Sequence, residues 1–139
     1  MLNIAQIGVG YWGPNLLRNL VFCKNCKVKV VADLAEDRRR YVGSLYPSIK
    51  VTDNMNDIFE DPEIDAVVIA TPVKTHFELS MRALQAGKHI LVEKPLATNL
   101  SEVEEIEKIA AQNNLIVMAG HTFLYNAAVR YVKELIDSG

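Results

Sequence analysis

The chain has 139 residues, half of them hydrophobic and 23% charged, with a formal charge of −2. That is the length of one domain, large enough to hide about two-thirds of its unfolded surface without staples. The composition excludes disorder, and a slightly acidic chain excludes a mainly electrostatic hold on nucleic acid. No apolar run approaches the roughly 20 residues of a membrane helix; the longest, Ala66 to Ala70 and Leu115 to Ala119, are strand-sized. Met1-Leu2-Asn3 is no basic signal-peptide start, so the expected setting is the cytoplasm.

The pattern alternates from the first residues. Leu2 to Ile7 is a short apolar run that ends in glycines, and Asn15 to Phe22 carries Leu16, Leu17, Leu20 and Val21 on one helical face. Cys23-Lys24-Asn25-Cys26 follows. A structural zinc needs four ligands and no second pair exists, so this segment reads as a turn; a redox dithiol is the lesser alternative. Lys27 to Ala32 is β-branched and strand-like, Glu36 to Tyr46 is a charged helix stopped by Pro47, Ile49 to Thr52 is a minimal strand, and Met55 to Glu60 is a short helix closed by Pro62.

Asp65 to Ala70 predicts a buried strand. Thr75 to Ala86 predicts a helix with a Thr75–Glu78 capping box, a stripe of Phe77, Met81 and Leu84, and Gly87 as its stop. Lys88 to Val92 is a strand ended by Pro95. A helix from Asn99 to Asn113 carries Leu100, Val103, Ile106 and Ala110 on one side, Leu115 to Ala119 is the sixth strand, and Asn126 to Asp137 is a final amphipathic helix. Alternating strands and helices make βαβ units and a parallel sheet. Near-continuous apolar strands require helices on both faces. The expected fold is a doubly wound parallel α/β sheet of six strands in the order 3-2-1-4-5-6.

Gly8-Val9-Gly10-Tyr11-Trp12-Gly13 is G-x-G-x-x-G between a predicted strand and a predicted helix, the context that gives the motif meaning. The first glycine permits the tight turn, the second lets backbone approach a pyrophosphate, and the third lets helix and strand pack. Pro14 suits the first helical turn, whose free N–H groups would face phosphates. Asp33, twenty residues past Gly13, matches the carboxylate that binds the adenosine ribose. It repels a 2′-phosphate, so NAD is expected over NADP. Arg38-Arg39-Arg40 is a solvated helix face with a Glu36–Arg40 pair, although an arginine such as Arg38 can also receive a 2′-phosphate.

The segment from Ala86 to Ala97, AGKHILVEKPLA, closely resembles a signature of the glucose-fructose oxidoreductase / inositol dehydrogenase (Gfo/Idh/MocA) family. The glycine loop, Ala70-Thr71-Pro72 with His76 four residues on, and Gly120 after the sixth strand fall in matching order. The resemblance covers essentially the whole chain. It implies a Rossmann domain at residues 1–139, belonging to an NAD(P)-dependent oxidoreductase of sugars, cyclitols or sugar nucleotides. It also implies a C-terminal substrate domain that this chain lacks, a homo-oligomeric full-length protein, and an apolar patch left near the final helix.

By position, the resemblance makes Lys94 the catalytic lysine, beside the nicotinamide and the carbinol, after a cis Lys94–Pro95 bond. It puts Glu93 on the nicotinamide ribose and Ala70, Thr71 and Pro72 against the cofactor. Tyr11 and Trp12 flank the pyrophosphate. His76 lines the nicotinamide side or packs as a structural histidine. His121 serves as an acid/base, lines the pocket or contacts the cofactor, or serves the structure. A non-catalytic NAD-binding sensor or scaffold is the alternative reading.

Overall fold

A computed structural model describes residues Met1–Gly139. Strands and helices alternate as β1 (Leu2–Ile7), α1 (Gly13–Phe22), β2 (Cys26–Ala32), α2 (Glu36–Leu45), β3 (Lys50–Thr52), α3 (Asn56–Phe59), β4 (Ala66–Ile69), α4 (His76–Gln85), β5 (His89–Val92), α5 (Leu100–Gln112), β6 (Val117–Ala119) and α6 (Ala127–Ser138). Short 3-10 turns, Val73–Thr75 and Thr122–Tyr125, lead to α4 and α6. The sheet order is β3-β2-β1-β4-β5-β6, parallel throughout, as the alternation implies. No helix is long and apolar enough to cross a membrane.

The core lies on both faces of the sheet. On one face Ile7, Val67, Ile69, Ile90 and Val92 meet Ile58 of α3, Leu79 and Leu84 of α4 and Ile106 of α5. On the other, Val28 and Val31 meet Leu17 of α1 and Val42 of α2. Each such side chain stabilises the fold by about 1.5–3 kcal/mol on burial. One irregularity sets which valine faces which layer. Ile4 pairs with Val28 but Ala5 with Val30, so Lys29 is an extra residue in β2. This bulge breaks the two-residue alternation and sends Val28 and Val30 to opposite faces. Lys29 itself reaches Asp61 and Glu63 below the sheet.

Two helix starts differ from the sequence expectation. The Thr75–Glu78 capping box does not form. A 3-10 turn precedes α4, so Thr75 already has helical backbone angles, and its hydroxyl contacts Pro72 O and Thr71 Oγ1, each at 2.8 Å. A reciprocal arrangement occurs at α5 instead. Asn99 Oδ1 accepts from Glu102 N at 3.0 Å, and the Glu102 carboxylate accepts from Thr98 N and Oγ1, each at 2.9 Å. These bonds hold the Glu102 carboxyl below its ordinary range, the backbone N–H of Thr98 first. The buried face of α4 is also rotated from the expected stripe. His76, Leu79, Ser80, Ala83 and Leu84 are buried, with Phe77 and Met81 only half-buried beside them. Small Ser80 and Ala83 let the helix lie close to the sheet, and the larger side chains flank that contact.

On α5, Ile106 and Ala110 are buried as expected, but Leu100 stands exposed in the first turn. The apolar stripe of α6 (Val129, Val132, Leu135 and Ile136) is exposed as well. Its pattern reads as core, but nothing in this chain covers it.

Candidate functional site

The carboxyl ends of β1, β2, β4 and β5 meet at one edge of the sheet. Strand order reverses there between β1 and β4, the place where such sheets bind ligands. The glycine loop turns at this edge. Gly8 has φ +91°, and a Cβ on it would lie 2.5 Å from Ala70 O. One on Gly13 would lie 2.4 Å from Gly8 O. Both positions exclude side chains for reasons internal to the fold. Gly10 differs, because a Cβ there would meet nothing within 4 Å. Its missing side chain serves the space above it and leaves bare backbone as the floor of a cleft. Trp12 at the start of α1 offers no side-chain cap. Pro14 has no N–H and Asn15 N donates to Trp12 O at 2.9 Å, which leaves the N–H of Gly13 at the very start of the helix to face an anion.

The loop is held from beneath by Gln6, a fully buried residue of β1. Its Nε2 donates to Gly8 O and Gly13 O, each at 2.9 Å. Sequence reasoning passed over Gln6; the signal was a lone polar residue inside an apolar strand. Asp33 holds the loop from the side. Oδ2 accepts from Val9 N at 2.8 Å and Oδ1 from Ala35 N at 2.9 Å, so both oxygens are fixed with lone pairs to spare. The three arginines divide their roles. Arg39 donates to Asp33 O and Leu34 O, each at 2.8 Å, and pairs with Asp53 at 3.1 Å. Arg40 pairs with Glu36, as its spacing implies. Arg38 alone lines the cleft.

The cleft has two lobes. One, of about 550 Å³, runs from Gly10 and Asp33 past Leu34, Arg38 and Met55 to Arg82. The other, of about 600 Å³, runs from Gly10, Tyr11 and Trp12 to Glu93, Lys94, Gly120 and Phe123. Gly10, Ala70, Thr71 and Pro72 line both, so the lobes join at the switch point. Arg82 closes the far end of the first, held by Asn56 Oδ1 at 2.8 Å and stacked 4.4 Å from the Phe59 ring centre.

In the second lobe Lys94 is exposed and belongs to none of the ion pairs. The Lys94–Pro95 bond is cis. Glu93 Oε2 accepts from Lys94 N at 3.2 Å, while Oε1 is buried and unpartnered. Gly120 makes room for it, since a Cβ there would lie 3.3 Å from Glu93.

Two histidines fall elsewhere than the pocket. His76 is buried behind the wall, and neither lobe includes it. Its Nδ1 lies 2.7 Å from Pro95 O and its Nε2 2.9 Å from Thr71 O. It brackets the two loops that carry Thr71 and Lys94, which corrects the expectation of a pocket-lining side chain. His121 is exposed and lines neither lobe. It opens the outward 3-10 turn, and its neighbours Thr122 and Phe123 take the lining place.

The model of the oxidoreductase family with an NAD-binding Rossmann fold, Gfo/Idh/MocA, matches residues 2–121. The chain belongs to this family. A myo-inositol 2-dehydrogenase of Thermotoga maritima is 28% identical over 138 residues, 99% of the chain and 41% of that protein. Among solved structures, the scyllo-inositol dehydrogenase of Lactobacillus casei with bound NAD(H) and scyllo-inositol superposes with a TM-score of 0.89 at 25% identity. That match covers 100% of this chain and 42% of the other. A 3-ketoreductase of Actinomadura kijaniata in complex with TDP-benzene and NADP gives 0.90 at 27% identity, covering 99% and 42%. This Gfo/Idh/MocA chain thus spans about two-fifths of the length of these relatives, and the part it spans is the Rossmann domain with its glycine loop.

Proposed function

We propose that the chain is the dinucleotide-holding half of a dehydrogenase that moves a hydride between a nicotinamide and the carbinol of a cyclitol, sugar or sugar nucleotide. The observation that carries this reading is one continuous cleft with the Asp33 carboxylate in one lobe and the Lys94 ammonium in the other, joined over the bare backbone of Gly10. Each lobe is large enough for half of a dinucleotide. NAD fits the residues present. Asp33 would accept from the adenosine ribose hydroxyls, the start of α1 would face the pyrophosphate, and Ala70, Thr71 and Pro72 would lie against the middle. Glu93, with its unpartnered oxygen, would take the nicotinamide ribose. The cofactor, when bound, supplies the hydride acceptor or donor.

Lys94 then acts on the substrate. A carbinol carbon gives up hydride only as its hydroxyl loses a proton. A lysine without an internal partner is free to act here: its ammonium can donate to and orient the hydroxyl, and its neutral amine can accept the hydroxyl proton as the hydride leaves. The substrate class rests on the inositol and sugar-nucleotide relatives. A further domain covering the second lobe, and assembly into a homo-oligomer, belong to the same reading.

Calorimetric titration of the chain tests the cofactor assignment: NAD should bind more tightly than NADP. Equal or reversed affinities would show that Arg38, rather than Asp33, sets the preference. With NAD and a panel of polyols, the chain alone should give no sustained NADH absorbance, because the reacting carbon must be held about 3–3.5 Å from its partner. Turnover like that of a complete enzyme would overturn the two-domain reading.

A further inference from the structure

The end of the sheet opposite the cleft carries a pair of groups that the proposed chemistry does not use. Cys23 follows α1 and Cys26 opens β2, with a two-residue turn at Lys24 and Asn25 between them. They are the only cysteines of the chain. Residues that flank a two-residue turn lie within about 7 Å at Cα, the spacing a disulfide can bridge. The two converge on one atom, because Leu20 O accepts from Cys23 N at 3.2 Å and from the Cys26 thiol at 3.4 Å. The turn is pinned by Leu2 N donating to Asn25 O at 3.0 Å.

Their environments are unequal. Cys23 is exposed and Cys26 half-buried. The backbone N–H of Asn25, followed by the Cys26 thiol, holds the Cys23 thiol below its ordinary range, whereas burial pushes the Cys26 thiol up. An accessible sulfur beside a more shielded one, with the accessible sulfur the more readily ionised of the two, is the division between an attacking and a resolving cysteine. Exposed Lys24 lies between the two cysteines and exposed Lys27 follows them, which suits an anionic partner.

We propose that Cys23 and Cys26 form a reversible redox site that exchanges with disulfides of small anionic thiols, glutathione disulfide being the model reactant. The Cys23 thiolate attacks one sulfur of the small disulfide; that S–S bond breaks, one thiolate leaves and takes up a proton, and a mixed disulfide forms at Cys23. Cys26 then loses its proton, attacks the Cys23 sulfur and expels the second small thiol. Two protein thiols are oxidised to a disulfide, and one small disulfide is reduced to two thiols.

The test is to incubate the chain with glutathione disulfide, then count free thiols and weigh the protein. The wild type should lose both thiols, retain no glutathione, and recover both thiols with excess reduced glutathione. C26S should stop as the mixed disulfide at Cys23. C23S should react about tenfold more slowly than C26S, reflecting its smaller thiolate fraction. C23S should keep the wild-type circular dichroism and melting curve, since Cys23 is exposed, and C26S should keep the circular dichroism, its serine hydroxyl replacing the thiol as donor to Leu20 O. The urea-unfolded chain provides the control, and Cys23 should lose its kinetic advantage there. A wild type that keeps both thiols or stays glutathionylated would overturn the proposal. So would a C23S variant that reacts as fast as C26S, or equal selectivity in the unfolded chain.

Discussion

The two lobes of the cleft differ in how completely their walls are tied down. In the Asp33 lobe most polar lining groups have partners: Asp33 with Val9 and Ala35, Thr75 with Thr71 and Pro72, Arg82 with Asn56 and Phe59. Arg39 braces the Asp33 loop from behind. Glu78 and Arg38, which make no side-chain hydrogen bond, are the exceptions. In the Lys94 lobe the key groups stand without partners. The Lys94 side chain and Phe123 are exposed, and one Glu93 oxygen is buried alone. A lobe whose polar groups satisfy one another is preorganised to hold a ligand of fixed shape. A lobe with unspent donors and acceptors can take groups that arrive later, which in the proposed function are the nicotinamide ribose and the substrate hydroxyl. Binding and turnover should therefore separate between the lobes.

The sharpest break of this comparison is Lys94→Ala in the proposed dehydrogenase. Turnover should fall about 10²–10⁴-fold, the scale of losing a general acid/base, while NAD affinity measured by calorimetry stays within a few-fold. Survival of turnover would remove Lys94 from the chemistry. His76→Phe should act on both lobes at once. It removes the ring N–H from which one of Thr71 O and Pro95 O accepts, at about 1–3 kcal/mol, lowering the melting temperature and weakening NAD together. An unchanged melting curve would show that the bracket is dispensable.

Asp33→Asn tests the finished lobe alone. It keeps an acceptor for the loop and removes the charge, so NAD should weaken by about 1–3 kcal/mol and the margin over NADP should narrow in parallel titrations. Gly10→Ala separates ligand from fold. Because its Cβ meets no protein atom, chemical denaturation should move by no more than about 0.5 kcal/mol while NAD affinity falls. Stability lost without affinity lost would reverse the assignment of Gly10.

The smallest effect lies outside the cleft. Glu102 has its carboxyl held low by Thr98. A depressed carboxyl stabilises the fold above its unfolded pKa, and that contribution disappears as pH falls through the folded value. Glu102→Gln should therefore lower the melting temperature slightly at neutral and alkaline pH, leave it nearly unchanged at the acid end, and so flatten the acid limb of the curve of melting temperature against pH.

Much of this protein was legible in the chain. Periodicity and punctuation placed all six strands and six helices within about two residues of their observed ends. Local chemistry sufficed there, because buried parallel strands need unbroken apolar runs and helices need their stops. The glycine loop and Asp33 were equally readable, since a tight turn and a strand-end carboxylate leave residue types that few other roles require. Tertiary structure decided what no local pattern holds. The bulge at Lys29 assigns Val28 and Val30 to opposite layers. The 3-10 turn before α4 takes Thr75 out of its cap. His76 goes behind the pocket because two carbonyls from distant loops, Thr71 O and Pro95 O, converge on its ring. Gln6 becomes the support of the glycine loop for the same reason. Each of these depends on partners brought together only by folding, whereas the strands, helices and loop motif depend on neighbours in sequence.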